Sequence, residues 1–213
     1  MRLPRRDADD APSMEAGPQV PAEAPEVGHP HVPGEAGTWI FIFGDMCVFA
    51  LLFCVFLNAR RFSPVAFAHD QAELNANLGA VNTVLLLASS LCVVLAVRAV
   101  RSGVHRTLAP RFIAAAWACG VGFLIIKVIE YAEKISHGIT PQSSDFFMYY
   151  FMLTGLHAFH VMVGLAVLIV LFTLTRKSEI SERQFAFFEG GACFWHMVDL
   201  LWIVLFPLIF LVQ

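Results

Sequence analysis

Five stretches of this chain are apolar for long enough to cross a lipid bilayer, and the polar positions between them fall where turns belong. Roughly 20 apolar residues span the hydrocarbon core as a helix, and the runs at about 38–58, 78–97, 112–131, 146–173 and 187–212 all reach that length. The pattern predicts an all-α fold, an integral membrane bundle of five transmembrane helices occupying 38–213. Trp39 opens the first run as an interfacial anchor, and Arg60 and Arg61 close it. Pro64, Asn75 and Asn77 predict irregular backbone after the first run, and Pro110 interrupts the basic connection after the second. Gly138, Pro141 and Asp145 fill the third connection, and Pro207 predicts a kink in the last turns of the fifth run.

Ionisable residues inside these runs carry the chemistry. A charge in a bilayer costs several kcal/mol unless it is paired or wetted, so each one asks for a partner. The last run holds Glu189, His196 and Asp199, whose spacings of seven and three place them on one helical face. The first run holds Asp45, the fourth His157 and His160, and the third Lys127 and Glu130, close enough in sequence to neutralise each other. In the second run Asn82, Ser89 and Ser90 suit polar links between helices, and in the third Ala116, Ala118, Gly120 and Gly122 suit close helix approach.

The connections after the second and fourth runs carry seven Lys and Arg, against three in the other two. The positive-inside rule therefore expects a cytoplasmic N-terminus and a C-terminus outside. A rise of 1.5 Å per residue then puts Asp45 and His160 about 10 Å from the cytoplasmic face, and His157, His196 and Asp199 near the midplane. Two polar levels are expected: Asp45 with His160, and His157 with His196 and Asp199.

Composition agrees with the pattern. Of 213 residues, 58% are hydrophobic and 15% charged, whereas soluble domains have about 45–50% and about 25%. The net charge of −3 with no basic cluster excludes a nucleic-acid partner. Cys47, Cys54, Cys92, Cys119 and Cys193 all lie in apolar runs without a CxxC and read as packing residues. Seven of the 11 prolines and seven of the 17 acids precede Thr38, so residues 1–37 are expected to form a disordered cytoplasmic tail.

The residues alone leave three readings open. His157, His160, His196 and Asp199 include metal-ligand types, but a di-iron bundle wants Glu-x-x-His on two helices, and only His196-x-x-Asp199 comes near, in reverse order. The Asp and His set could instead form a proton or ion path, making this a free-standing conducting protein. Alternatively, paired polar groups specify which helix faces which and hold lipid head groups or a partner subunit. Phosphate-binding loops and nucleophile elbows are absent, which argues against an autonomous enzyme.

Four stretches taken together carry a resemblance: GTWIFIFGDMCVFALLF, NTVLLLASS, LTGLHAFHVMVGL and WHMVDLLWIVLFPLIFL. From about Gly34 onward the chain resembles subunit III of the haem-copper oxidases, including the NorE-like branch associated with nitric oxide reductase. Asp45 stands where the family more usually has Glu. The resemblance implies a cytochrome c oxidase subunit III-like bundle in a bacterial inner membrane, non-catalytic and without a cofactor of its own. Haem with copper or iron would sit in the partner, catalytic subunit I. The third subunit would pack against it, bind phospholipid in a cleft between helix bundles, and sustain proton uptake during turnover. Asp45, His157, His160, His196 and Asp199 would be polar residues of that fold and none a metal ligand. Five runs replace the seven of longer family members. KVIEY with Lys127, and FFMYYFMLTG after it, favour the NorE-like branch, so the partner is expected to be a nitric oxide reductase or an oxygen reductase.

Overall fold

A computed structural model describes residues 36–102, 106–177 and 180–211. The expected tail, 1–37, lies outside these residues except for its last two. Within them the chain is helical, and five helices are long and apolar enough to cross a membrane. They are α1 (Ala36–Phe62), α3 (Ala76–Ser102), α4 (Ala109–Ser136), α5 (Asp145–Thr175) and α6 (Glu182–Phe206), with a short α2 (Pro64–Ala72) between the first two.

The long helices outrun their apolar cores at one or both ends because their polar termini are locally capped. Ser144 accepts from the Phe147 amide at the start of α5, and Ser181 with Gln184 forms a capping box at the start of α6. At the end of α4, Gly138 takes φ +78. The Ile139 amide then reaches the Lys134 carbonyl, and the Gly138 amide reaches Ile135. This is the Schellman closure, in which glycine pays no Cβ penalty.

Two prolines act differently from expectation. Pro64 initiates α2 instead of belonging to irregular backbone, because an N1 proline needs no N–H partner. Pro110 likewise sits in the first turn of α4. At the far end, the α-helix gives way at Pro207 to a π-helical turn, Pro207–Leu211, that continues the last span.

Helix α3 packs along α4, α4 against α5, α5 against α6, and α6 returns to α3, closing a four-helix bundle. Trp195 of α6 is the wedge at its centre. A Cβ added to Gly120 of α4 or Gly164 of α5 would stand 2.8 and 2.6 Å from the Trp195 ring. Only a missing side chain on both helices makes room for the indole. Its N–H donates to Ser89 Oγ of α3 (3.0 Å), and Ser89 donates to the Ala116 carbonyl of α4 (2.9 Å). One side chain thus ties all four helices.

Helix α1 is held more lightly. Of its most apolar stretch 11% is buried, against 56% for the last span. Its inner face meets α5 through Phe49 and Phe56 and α6 through Phe41, while Ile40, Phe43, Val48 and Leu51 face outward. Helix α2 bridges α1 and α5 at one end, where the Ser144 hydroxyl donates to Asp70 Oδ2 (2.6 Å).

Candidate functional site

The polar interior is a column along α5. Tyr150, Thr154, His157 and His160 follow at spacings of four, three and three, which keeps them on one helical face over about 15 Å. All four are buried. Each neighbouring helix supplies a complement.

At one end Glu130 of α4 receives two bonds, from Lys127 Nζ (2.9 Å) and from the Tyr150 hydroxyl (2.6 Å). The Lys127–Glu130 pair expected from spacing is present and nearly sealed, with side-chain exposures of 3% and 1%. The ammonium also lies 4.9 Å from the Trp202 ring, 5.3 Å from Phe210 and 5.5 Å from Tyr150. Aromatic faces attract a cation most when water is excluded, so α5, α6 and the C-terminal turn form a cage around it. One turn further along α5, Thr154 bonds the Tyr131 hydroxyl of α4 and donates to the Tyr150 carbonyl.

In the middle, His157 is fully buried among rings. Phe123 meets it edge-on at 5.5 Å and Trp202 lies 5.2 Å away. Neither imidazole nitrogen has a hydrogen-bond partner. The expectation that His157 would join His196 and Asp199 is corrected here, because its face of α5 turns toward Phe123 and Trp202. His196 and Asp199 do come together, through α3. Ser90 Oγ stands 2.6 Å from His196 Nδ1 and also interacts with the Asp199 carboxyl group. Glu189 is buried two turns into α6, about 15 Å along the helix from Asp199.

At the other end His160 Nε2 stands 3.0 Å from Asp45 Oδ1 of α1. This is the pair that depth along the two spans predicted. His160 Nδ1 is 2.8 Å from the Leu156 carbonyl, which can only accept, so Nδ1 carries a hydrogen. The contact at Nε2 then needs one proton, carried either by the carboxyl group or by the ring. Asp45 and His160 therefore hold a single transferable proton between them, at the seam where α1 meets the bundle. Asp45 Oδ2 is buried without a partner.

Sequence reasoning singled out Ser90 as a polar link between helices but missed Tyr150 and Thr154, which lack charge. Their signal was periodicity: Thr154 and Tyr150 extend the His157–His160 face one and two turns backward. Trp202 and Phe210 gave no comparable signal, since the chain holds 20 phenylalanines and the cage exists only once helices pack. Among the described residues, no three His, Cys, Asp or Glu side chains converge so as to hold a metal ion.

Apolar grooves flank α1. One of about 300 Å³ runs between α1 and α6, past Trp39, Ile42, Met46 and His196. Another of about 350 Å³ passes Phe41, Val163, Phe187 and Gly190 on the α5 side.

The fold and this interior define a multi-pass α-helical membrane protein that turns most of the ionisable groups of its spans inward. The family model for cytochrome c oxidase subunit III matches residues 33–212, and the chain belongs to that family. Over 179 residues it is 29% identical to cytochrome c oxidase subunit 3 of Corynebacterium diphtheriae, covering 83% of this chain and 87% of that one. It is 31% identical over 180 residues to the subunit of the same name from Alkalihalophilus pseudofirmus, covering 82% and 84%. Subunit 3 of the cytochrome bo(3) ubiquinol oxidase of Pseudomonas putida is 29% identical, with the same coverage.

Proposed function

We propose that this chain is the accessory third subunit of a haem-copper terminal reductase, docked on the catalytic subunit I and prolonging its turnover by keeping proton delivery intact. The observation that carries this reading is the Asp45–His160 pair. It stores one proton where the lightly held α1 joins the bundle, near the outer surface open to a partner and not inside a closed active site. Haem, copper and any iron belong to the partner in this proposal, and the subunit contributes no redox centre. The grooves beside α1 suit acyl chains of phospholipid, since apolar walls leave little else for a bilayer to place there. The complex would sit in a bacterial inner membrane with the N-terminus cytoplasmic and the C-terminus outside.

Affinity purification of the tagged chain from membranes tests the reading. Co-purification of a haem-bearing subunit, with turnover that decays faster when the chain is removed, is the expected result. A lone oligomer that conducts protons in liposomes would instead establish the free-standing conducting protein. The second reading of the partner, a nitric oxide reductase, rests on the likeness of KVIEY, with Lys127, and of FFMYYFMLTG to the NorE-like branch. Assaying the purified complex with oxygen and with nitric oxide decides between them.

A further inference from the structure

A cavity of about 420 Å³ lies beneath α2, lined by Ala68, Gln71, Ala72, Leu74, Ala76 and Phe210. It occupies the end of the molecule where α1 has already passed Arg60 and Arg61, among Asp70, Glu73, Asn75 and His69. Lys134 of α4 donates to the carbonyl of Glu73, the residue before Leu74 of the lining. Gln71 is 6% exposed, and both its amide atoms lack a partner. The grooves beside α1 are walled by none of the buried polar side chains that lack partners. A buried amide without a bond is costly, and hydrocarbon cannot relieve that cost. Water can, and the volume holds about a dozen molecules at about 30 Å³ each.

The cavity floor connects to the column. The Phe210 ring that lines the cavity also lies 5.3 Å from the Lys127 ammonium and 6.4 Å from the Tyr150 ring. One phenyl ring therefore borders both the cavity and the Lys127–Glu130–Tyr150 cluster. It is carried by the π-helical turn after Pro207 rather than by a regular helix.

We propose that the cavity is a water-filled vestibule through which the Lys127–Glu130 pair exchanges protons with one face of the membrane, with Phe210 as the barrier. The ammonium of Lys127 passes a proton to the Glu130 carboxylate, leaving a neutral amine and a carboxylic acid. The acid releases that proton to a vestibule water, which becomes hydronium, and the reverse sequence restores the pair. The proposal does not depend on which catalytic partner the chain serves.

The test uses the full chain in sealed membrane vesicles of both orientations, with the five cysteines replaced by alanine. Gln71→Cys and Phe210→Cys are exposed in turn to a charged, membrane-impermeant thiosulfonate, with Val48→Cys on the outer face of α1 as the hydrocarbon reference. Modification from one side only, about tenfold or more faster than the reference, is the expected result. Reaction as slow as Val48→Cys, alongside normal labelling by a membrane-permeant maleimide, would mean a lipid-filled cavity and overturn the proposal. Proton exchange is read separately, as labelling of Glu130 by a water-soluble carbodiimide, located by peptide mass spectrometry. Phe210→Ala, or Phe210→Leu where the alanine variant does not accumulate, is expected to raise labelling about tenfold, and Ala72→Phe to suppress it. Labelling indifferent to both changes overturns the barrier role. Co-purification of a haem subunit is unaffected by either result, so this proposal and the proposed function fail independently.

Discussion

Glu130 and Asp45 are both buried carboxylates matched to a base, yet the molecule supports them in opposite ways. Glu130 sits inside the closed bundle, with Lys127 on its own helix, Tyr150 bonded from α5, and the ammonium enclosed by three rings. Asp45 arrives on the helix with the smallest buried share among the described spans and meets one imidazole, its second oxygen left without a partner. The first arrangement is rigid because removing either charged member strands the other behind the Phe210 ring. The second can change protonation or separate with little disturbance to the four-helix core. The contrast makes the inner pair a support of the bundle, whatever proton it exchanges past Phe210, and leaves the proposed role in turnover to the outer pair.

Breaking the inner pair tests this contrast most severely. Glu130→Ala leaves the Lys127 ammonium buried and uncompensated, and is expected to cost about 3–5 kcal/mol. The loss should appear as a collapse in the yield of folded protein from membranes. Replacing both members together, Lys127→Met with Glu130→Leu, should restore most of that yield, because no stranded charge remains. If the double variant folds no better than the single one, the pair does more than balance charge.

Next in size is the wedge that makes the bundle closed. A Cβ on Gly164 would stand 2.6 Å from the Trp195 ring, so Gly164→Leu is expected to cost about 1–3 kcal/mol through overpacking. The apparent unfolding temperature in detergent measures it. Gly155 is the control on the same helix, with its nearest contact at 3.8 Å; Gly155→Ala should be tolerated.

Asp45→Ala should sit well below these in stability, at about 1 kcal/mol for one hydrogen bond lost. Its expected signature is functional: the complex assembles, and its turnover rate decays sooner than that of the parent. An unchanged initial rate and lifetime in the assembled variant would remove Asp45 from the functional account. Ser90→Ala is the smallest of the set. It breaks the bridge between His196 and Asp199 at a cost near the average of about 0.6 kcal/mol for polar links between spanning helices. A double-mutant cycle with His196→Ala measures it.

The apolar periodicity by itself determined that five helices span, and roughly where, because a bilayer imposes length and composition locally. It also determined the pairs set by a single ruler. Lys127 and Glu130 meet because they are one helical turn apart, and Asp45 and His160 meet because they lie at equal depth. What depth could not supply was azimuth. His157, His196 and Asp199 lie at similar heights, but the rotation of α5 about its axis turns His157 to Phe123 and Trp202, while α3 brings Ser90 to the other two. That rotation follows from Trp195 seated between Gly120 and Gly164, a contact between residues 31 or more positions apart in the chain. The aromatic cage, the vestibule under α2 and the π turn at Pro207 have the same origin, in how neighbouring helices fill space against one another. Local sequence encodes each helix and its depth, but facing is a property of the packed set.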